Sequence, residues 1–366
     1  MAGSGISSVT DNFDALLTTT LRGYVDTELK DNITRGSKFL GWLDMKGRWT
    51  RHAGGHQIAV PLMYGLNSTA DYYSGYGVLD TTPQDGITTA FYDWTQASVS
   101  ISISRKEERQ NAGKAKILNL LQAKTKQAEN SVREIINNAL VAGRITSSAN
   151  LGRFLQRTGH LDSGAVGPLP LGALIDANPS RSVSIGNING NTYSFWRNQA
   201  TSSTATTFAG VKLEMNKVYD NCSKGIMGVP DLLLGDQIAW ETYWGALTSL
   251  ERYVITDARV VDVLGGTDAL KFRKAATIWD EVVPDVETNA EVVDGIGSVS
   301  ASNFWFINSD TMEFISDSET DFINTPFVRP ENQDARVAQI LWMGASAVNN
   351  RRKNGVLYGI SQSITS

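Results

Sequence analysis

His52 and His56 stand four residues apart in HAGGH, a spacing at which two imidazoles on one helical turn can hold zinc. Gly54 and Gly55 between them argue against a helix, and no carboxylate or third histidine lies near enough in the sequence to complete a ligand set. His160 sits alone in a polar stretch. Asp280 and Glu281 offer the two carboxylates a glycosidase needs, but adjacent residues of a strand point to opposite faces. Cys222 is the one cysteine, which excludes an intrachain disulfide and most zinc sites, and a lone sulfur of this kind reads as a small semi-buried hydrophobe before it reads as a nucleophile. GSGIS near the start and GIGS at Gly295 are short and lack the strand-to-helix context of a phosphate cradle, and no GxSxG, HExxH or P-loop occurs. The sequence therefore predicts no catalytic, metal or cofactor site, and not an enzyme.

Composition narrows what remains. The chain has 366 residues, 41% of them hydrophobic, enough for a sizeable core and for two domains. Its net charge of -5 argues against a dedicated nucleic-acid binder, because phosphate neutralisation needs clustered Lys and Arg. Apolar runs fall well short of the roughly 20 residues a membrane span requires. MAGSGISS has neither a basic nor an apolar leader region, so nothing in it directs the chain out of the cytoplasm.

The elements are more informative than the side-chain chemistry. In FYDWTQASVSISIS, Ala97, Val99, Ile101 and Ile103 fall on one face and Ser98, Ser100, Ser102 and Ser104 on the other, the period of a half-buried strand. From Lys114 the period turns helical, with Ile117, Leu120, Leu121, Ala128, Val132, Ile135 and Ala139 in one stripe until Gly143. A helix over 114–142 is about eight turns, roughly 43 Å, longer than a small domain needs. Ahead of the strand, HQIAVPL reads as a short strand that Pro61 confines to an edge. Residues 63–90 between them are turn-rich and aromatic, so the simplest geometry is a long two-stranded ribbon with an extended tip. Such a ribbon is marginal alone in water and needs something outside itself to lie on. With Tyr72, Tyr73, Tyr76, Phe91, Tyr92 and Trp94 on it, the ribbon is predicted to bind a partner; the competing geometry is a loop folded back on its own domain.

Charge is segregated across the same region. No Lys or Arg occurs from His56 to Ser104, only Asp71, Asp80, Asp85 and Asp93. From Arg105 to Arg133 there are eight basic residues, among them Arg105, Lys106, Arg109, Lys116, Lys126 and Arg133, against Glu107, Glu108 and Glu129. An acidic ribbon and a basic rod in one chain suit head-to-tail pairing between copies, which closes into rings; an ordinary solvated helix face is the alternative. Intersubunit contacts are thus expected at Asp71, Tyr72, Tyr73, Tyr76, Asp80, Asp85 and Trp94 on the ribbon, and at Arg105, Lys106, Arg109, Lys116, Lys126 and Arg133 on the rod. Surface pairs of this kind guide register, and the aromatics supply most of the affinity.

Elsewhere, residues 10–33 carry a helical face through Phe13, Leu16, Leu17, Leu21, Tyr24 and Val25. Residues 143–207 read as loops over a surface, with SVSIGNING and TYSFWRN as short strands. FAGVKLEMNKVYDNCS, PDLLLGD and IAWETYWGALTSLERYV predict helix, buried strand and helix, an α/β module. LKFRKAATIWDEVV, NFWFINSDTMEFI, AQILWMGASAV and GVLYGISQS predict strands.

GGHQIAVPLMY, YYSGY, LDTTPQD, YDW, SVSIS, KEERQNAGKAKILNLLQAKTKQAE and SFWRNQ, taken in order, resemble the major capsid proteins of tailed bacteriophages with the Hong Kong 97 fold. The resemblance spans most of residues 50–360 and is most specific from LDTTPQD to QAKTKQAE. It implies an α+β Hong Kong 97-like fold with an N-terminal arm over 1–53 and a β-hairpin E-loop over 54–104. A P-domain would follow over 105–207 with its spine helix at 114–142, then an α/β A-domain over 208–325 and return strands of the P-domain over 326–366. It implies a shell subunit forming hexamers and pentamers around packaged double-stranded DNA, in a virion assembled in a bacterial cytoplasm, with a portal protein and room for a decoration protein. Only some fifty residues precede the ribbon, so a separate scaffolding protein is expected in place of a cleaved scaffolding region. The founding member crosslinks neighbours through an E-loop lysine, and residues 56–104 contain none, so no such crosslink is expected. A nanocompartment shell of the same fold and a phage tail protein are the alternatives.

Overall fold

In the computed structural model the described residues are 38–110, 120–142, 167–225 apart from 181 and 183, 228–247, 270–283 apart from 281, 302–361 apart from 332, and 364. The helical face predicted over 10–33 lies outside them, as do Lys114, Lys116 and Ile117.

The first helix, α1 (Lys38–Met45), buries Phe39, Leu40, Trp42 and Leu43, one face at helical spacing. Gly41 lies inside it, where burial of its apolar neighbours outweighs the low helix propensity of glycine. Next come β1 (Trp49–His52), β2 (Ile58–Met63), β3 (Ile87–Tyr92) and the serine-alternating β4 (Thr95–Ser104). Then follow α2 (Arg105–Gln110) and the long α3 (Leu120–Ala142). In α3 the buried row is Ala128, Val132, Ile136, Ala139 and Leu140; Ile136 takes the core position expected of Ile135, which is half-buried, because a strict step of four carries the stripe from 132 to 136.

Residues 167–202 are not the surface loops predicted. They hold α4 (Leu171–Leu174), the hairpin β5 (Ser184–Ile185) and β6 (Ile188–Asn189), and β7 (Gln199–Ser202), with Leu171, Leu174, Ile175, Ile185, Ile188 and Trp196 buried. SVSIGNING is a hairpin turning on Gly186 and Asn187, both at positive φ (61° and 63°). TYSFWRN is not a strand; Ser194–Trp196 forms a single tight 3-10 turn.

The remaining elements are α5 (Phe208–Ser223), β8 (Leu232–Gly235), α6 (Gln237–Leu247), β9 (Leu270–Phe272), β10 (Ala275–Trp279) and β11 (Ser302–Ile307). They are followed by β12 (Met312–Asp317), β13 (Ile323–Asn324), β14 (Ala335–Val348) and β15 (Gly355–Ile360). The helix, buried strand and helix predicted from FAGVK, PDLLLGD and IAWET are α5, β8 and α6. Thr207 caps α5 through its hydroxyl, which accepts from the Gly210 N–H.

The chain divides into two compact units. One takes in Ser98–Val132 and Asn324–Ile340 as well as residues outside the described set. Here Ser98, Ser100 and Ser102 are exposed and Ile101 is buried, as the alternation predicts. Ser104 and Glu107 form a reciprocal capping box at the start of α2, and Lys124 reaches Glu107 and the Ser102 carbonyl, both at 3.0 Å.

The other unit takes in Arg35–Ala97, Arg133–Ile323 and Leu341–Ser366. Its largest sheet runs β7-β15-β11-β8-β10-β9, with β7 parallel to β15, β8 parallel to β10, and the other neighbours antiparallel. The buried Val211, Met215, Val218, Tyr219 and Cys222 of α5 and Ala239 and Tyr243 of α6 pack with Leu233, Phe304, Phe306 and Leu357 of this sheet. A Cβ on Gly355 would come within 2.7 Å of Cys222 Sγ, so close approach of helix and strand needs glycine there. AQILWMGASAV and GVLYGISQS both form strands, but in different sheets: β14 pairs with β12, and β15 with β11 and β7.

Candidate intersubunit ribbon

The ribbon is β2 paired antiparallel with β3, from Ile58 opposite Tyr92 to Met63 opposite Ile87. Its second strand is thus ITTAFY, not the serine-alternating strand expected; β4 pairs with β14. Periodicity fixes which face a strand buries but carries no information about its partner. Pro61 is at an edge as predicted, since a two-stranded ribbon has nothing else.

Beyond Met63 the two sides stay together through the Tyr64 and Gly65 N–H groups, which both donate to the Gly86 carbonyl (2.9 and 3.4 Å). A Cβ on Gly86 would lie 3.0 Å from the Gly65 oxygen, so the crossing is tight. Further out the chain is held by local polar turns. Asn67 accepts from the Thr69 N–H and hydroxyl, the Ser68 hydroxyl donates to Gln84 at 2.8 Å, and Asp80 accepts from the Thr82 N–H and hydroxyl. The Thr82 hydroxyl, then its N–H, hold the Asp80 carboxyl below its usual range.

Apolar side chains on this tip stand in water. Tyr72 is 101% exposed, Tyr76 105%, Val78 98%, Leu66 90% and Tyr73 71%. A cluster of large apolar residues without cover marks a contact surface. Composition singled out the three tyrosines; Leu66 and Val78 were missed, although apolar residues between turn signals were the available clue. Tyr92 was also expected to face a partner and instead is buried, its hydroxyl donating to the Val348 carbonyl at 2.7 Å. Trp94 is half-buried and Phe91 is 40% exposed. Asp71 accepts from the Tyr72 N–H, and among the described residues Asp71, Asp80 and Asp85 make no ion pair.

The basic candidates are mixed. Lys106, Arg109 and Lys126 are exposed. Arg105 lies 3.9 Å from Asp334, which also holds Arg329 at 2.9 Å. Arg133 stacks its guanidinium over Phe322 at 5.7 Å. Lys116 is outside the described residues. Among the described residues no group of three or more His, Cys, Asp or Glu side chains is placed to hold a metal ion. No helix among them is long and apolar enough to cross a membrane.

No protein-family model and no curated protein sequence matches the chain. Solved structures do. The capsid subunit of cyanophage A-1(L) aligns over 95% of this chain and 98% of its own, with a TM-score of 0.62 at 13% identity. That of the Myoviridae phage XM1 aligns over 98% and 100%, at 0.55 and 10% identity. The chain has the Hong Kong 97-like capsid fold. A shell protein of another kind shares it: the encapsulin complex of Synechococcus elongatus aligns over 99% of this chain and 98% of its own, at 0.54 and 9% identity. The capsid fold is α+β, as expected from the sequence.

Proposed function

We propose that this chain is the major capsid protein of a tailed bacteriophage, a structural subunit without catalysis that assembles as hexamers and pentamers into an icosahedral shell around double-stranded DNA. The observation that carries the reading is a capsid fold matched end to end, over 95% of this chain and 98% of the cyanophage subunit. The bare tip adds to it, since Tyr72, Tyr76 and Val78 are fully in water in the single subunit and would gain cover against another molecule. On this reading the ribbon is the E-loop and α3 belongs to the spine helix. The A-domain is then 208–325 with β7 and β15 completing its sheet, and the P-domain the remainder of 105–207 and 326–366. DNA is contained by the shell without sequence-specific contacts, and a scaffolding protein, a portal protein and in some particles a decoration protein are its partners. The subunit acts in the virion after assembly in the host cytoplasm.

Electron microscopy of particles from the purified or co-expressed protein tests this through their symmetry and contents. Icosahedral shells with nuclease-protected DNA support the reading, and tubes or discrete trimers overturn it. A nanocompartment shell is the second reading, favoured by the encapsulin likeness, and protein cargo in place of DNA decides for it. The ribbon has no lysine, so neighbours are held without covalent links from this loop. Denaturing electrophoresis of intact particles is expected to give one band near 39.8 kDa, and a ladder of covalent oligomers would contradict the proposal.

A further inference from the structure

Residues 184–196 touch both arms of the ribbon at its root, beside the bond from the Tyr92 hydroxyl to the Val348 carbonyl. The Phe91 N–H donates to the Gly186 carbonyl at 3.2 Å. Gly186 has φ +61°, and a Cβ there would lie 2.9 Å from Ala90 Cβ and 3.3 Å from the Tyr92 ring, so the hairpin turn presses directly on β3. On the other arm, the Tyr64 ring stacks on Phe195, centroids 5.2 Å apart and planes 23° apart. Hairpin and tight turn are tied to each other: the Trp196 indole donates to the Ile185 carbonyl at 2.9 Å, and the Tyr193 N–H to the Asn189 carbonyl at 2.9 Å. Both arms of the ribbon therefore rest on a single braced unit. Past the crossing of Gly65 and Gly86, the polar turns at Asn67, Ser68–Gln84 and Asp80–Thr82 hold the tip only to itself.

We propose that residues 184–196 form a saddle that aims the ribbon, with Gly186 and Phe195 as positioning residues that set where the tyrosine tip meets the next copy. This rests on the shell reading and deepens it, because the direction of an arm that joins copies governs the size at which they close. The lever is long. About ten residues lie between the saddle and the tip on each arm, roughly 30 Å if extended, so a tilt of about 10° at the root moves the tip about 5 Å. Apolar contact is lost beyond about 4.5 Å. Half-buried Phe195 is also free to change without emptying the core.

The test compares Phe195→Ala and Phe195→Tyr with the parent chain by hydrogen exchange, thermal melting and particle imaging. In Phe195→Ala, protection of the Tyr64 and Phe91 amides is expected to fall about tenfold while the core keeps its protection. Its particles are expected to lose uniform diameter, and Phe195→Tyr, which keeps a ring to stack, is expected to restore both. Phe195→Ala particles as uniform as the parent's, or unchanged exchange at Tyr64 and Phe91, would overturn the saddle. If the parent chain itself forms no particles, the shell reading fails, and exchange in the single subunit still decides whether residues 184–196 fasten the ribbon.

Discussion

Replacing Tyr72, Tyr73 and Tyr76 together with serine probes assembly without touching the core. In the single subunit the three are 101%, 71% and 105% exposed, so their removal takes almost nothing from folding. The effect appears only when a neighbour covers them. Covering one ring contributes roughly 1.5–3 kcal/mol, so three contribute about 6 kcal/mol when all are buried. At about 1.4 kcal/mol per decade this corresponds to an association constant weaker by up to roughly 10⁴ per ribbon contact. A closed shell repeats the loss at every subunit, so particles should vanish at any practical concentration. Sedimentation and negative-stain imaging across a concentration series read the assembly, and circular dichroism with thermal melting reads the fold. Tyrosine to phenylalanine at the same positions keeps the ring area and should keep assembly. Serine variants that give normal shells at the parent's threshold concentration would refute the argument and remove the tip from the interface.

Arg351 is buried, and its guanidinium donates to the carbonyls of Leu174, Trp196 and Ala173 and to the Asn198 side chain. Arg351→Met should lower stability by about 3–5 kcal/mol, seen in thermal or denaturant unfolding, because several buried acceptors lose their donor at once. Burial raises the Asp236 carboxyl to about 6 in the folded chain, against about 3.9 unfolded. The folded state therefore holds this proton more tightly; the stability this group contributes is complete below about pH 4 and is lost as pH rises through about 6. Asp236→Asn should flatten that part of the pH profile of unfolding and leave the variant at least as stable at pH 8; an unchanged profile would exclude Asp236 as its source. Burial also pushes the Cys222 thiol up to about 12, so a thiol reagent should label the folded subunit at under a few per cent of the denatured extent.

What was legible in the sequence is what a residue's own neighbours specify. The alternation of Ser98, Ser100 and Ser102 against Ile101 gave β4, and the apolar spacing of Val211, Met215 and Val218 gave α5. What was not legible depends on partners distant in the chain. β2 pairs with β3 and not β4, and the contacts of β3 with Gly186 and Val348 are ones that no period within 56–104 reveals. The stretch 167–202 was read as surface because its glycines, serines and asparagines are turn formers. Arg351, more than a hundred residues away, satisfies its carbonyls and lets it lie inside. α1 was missed because four buried side chains outweigh one glycine in so short a helix.

The candidate site divides along the same line. The tip could be found by composition because its exposed tyrosines and its lack of Lys and Arg are properties of the residues themselves. Its root could not, because it works through identities at single positions. Gly186 and Gly355 leave no room for a Cβ against Ala90 and Cys222, and Gly344 leaves none against Trp342 and the Ile315 carbonyl. Elsewhere in the core, any apolar residue of suitable volume keeps the packing. Substitution of alanine at Gly186, Gly344 or Gly355 should thus cost more than exchange of leucine for methionine at Leu233, although leucine 233 is fully buried.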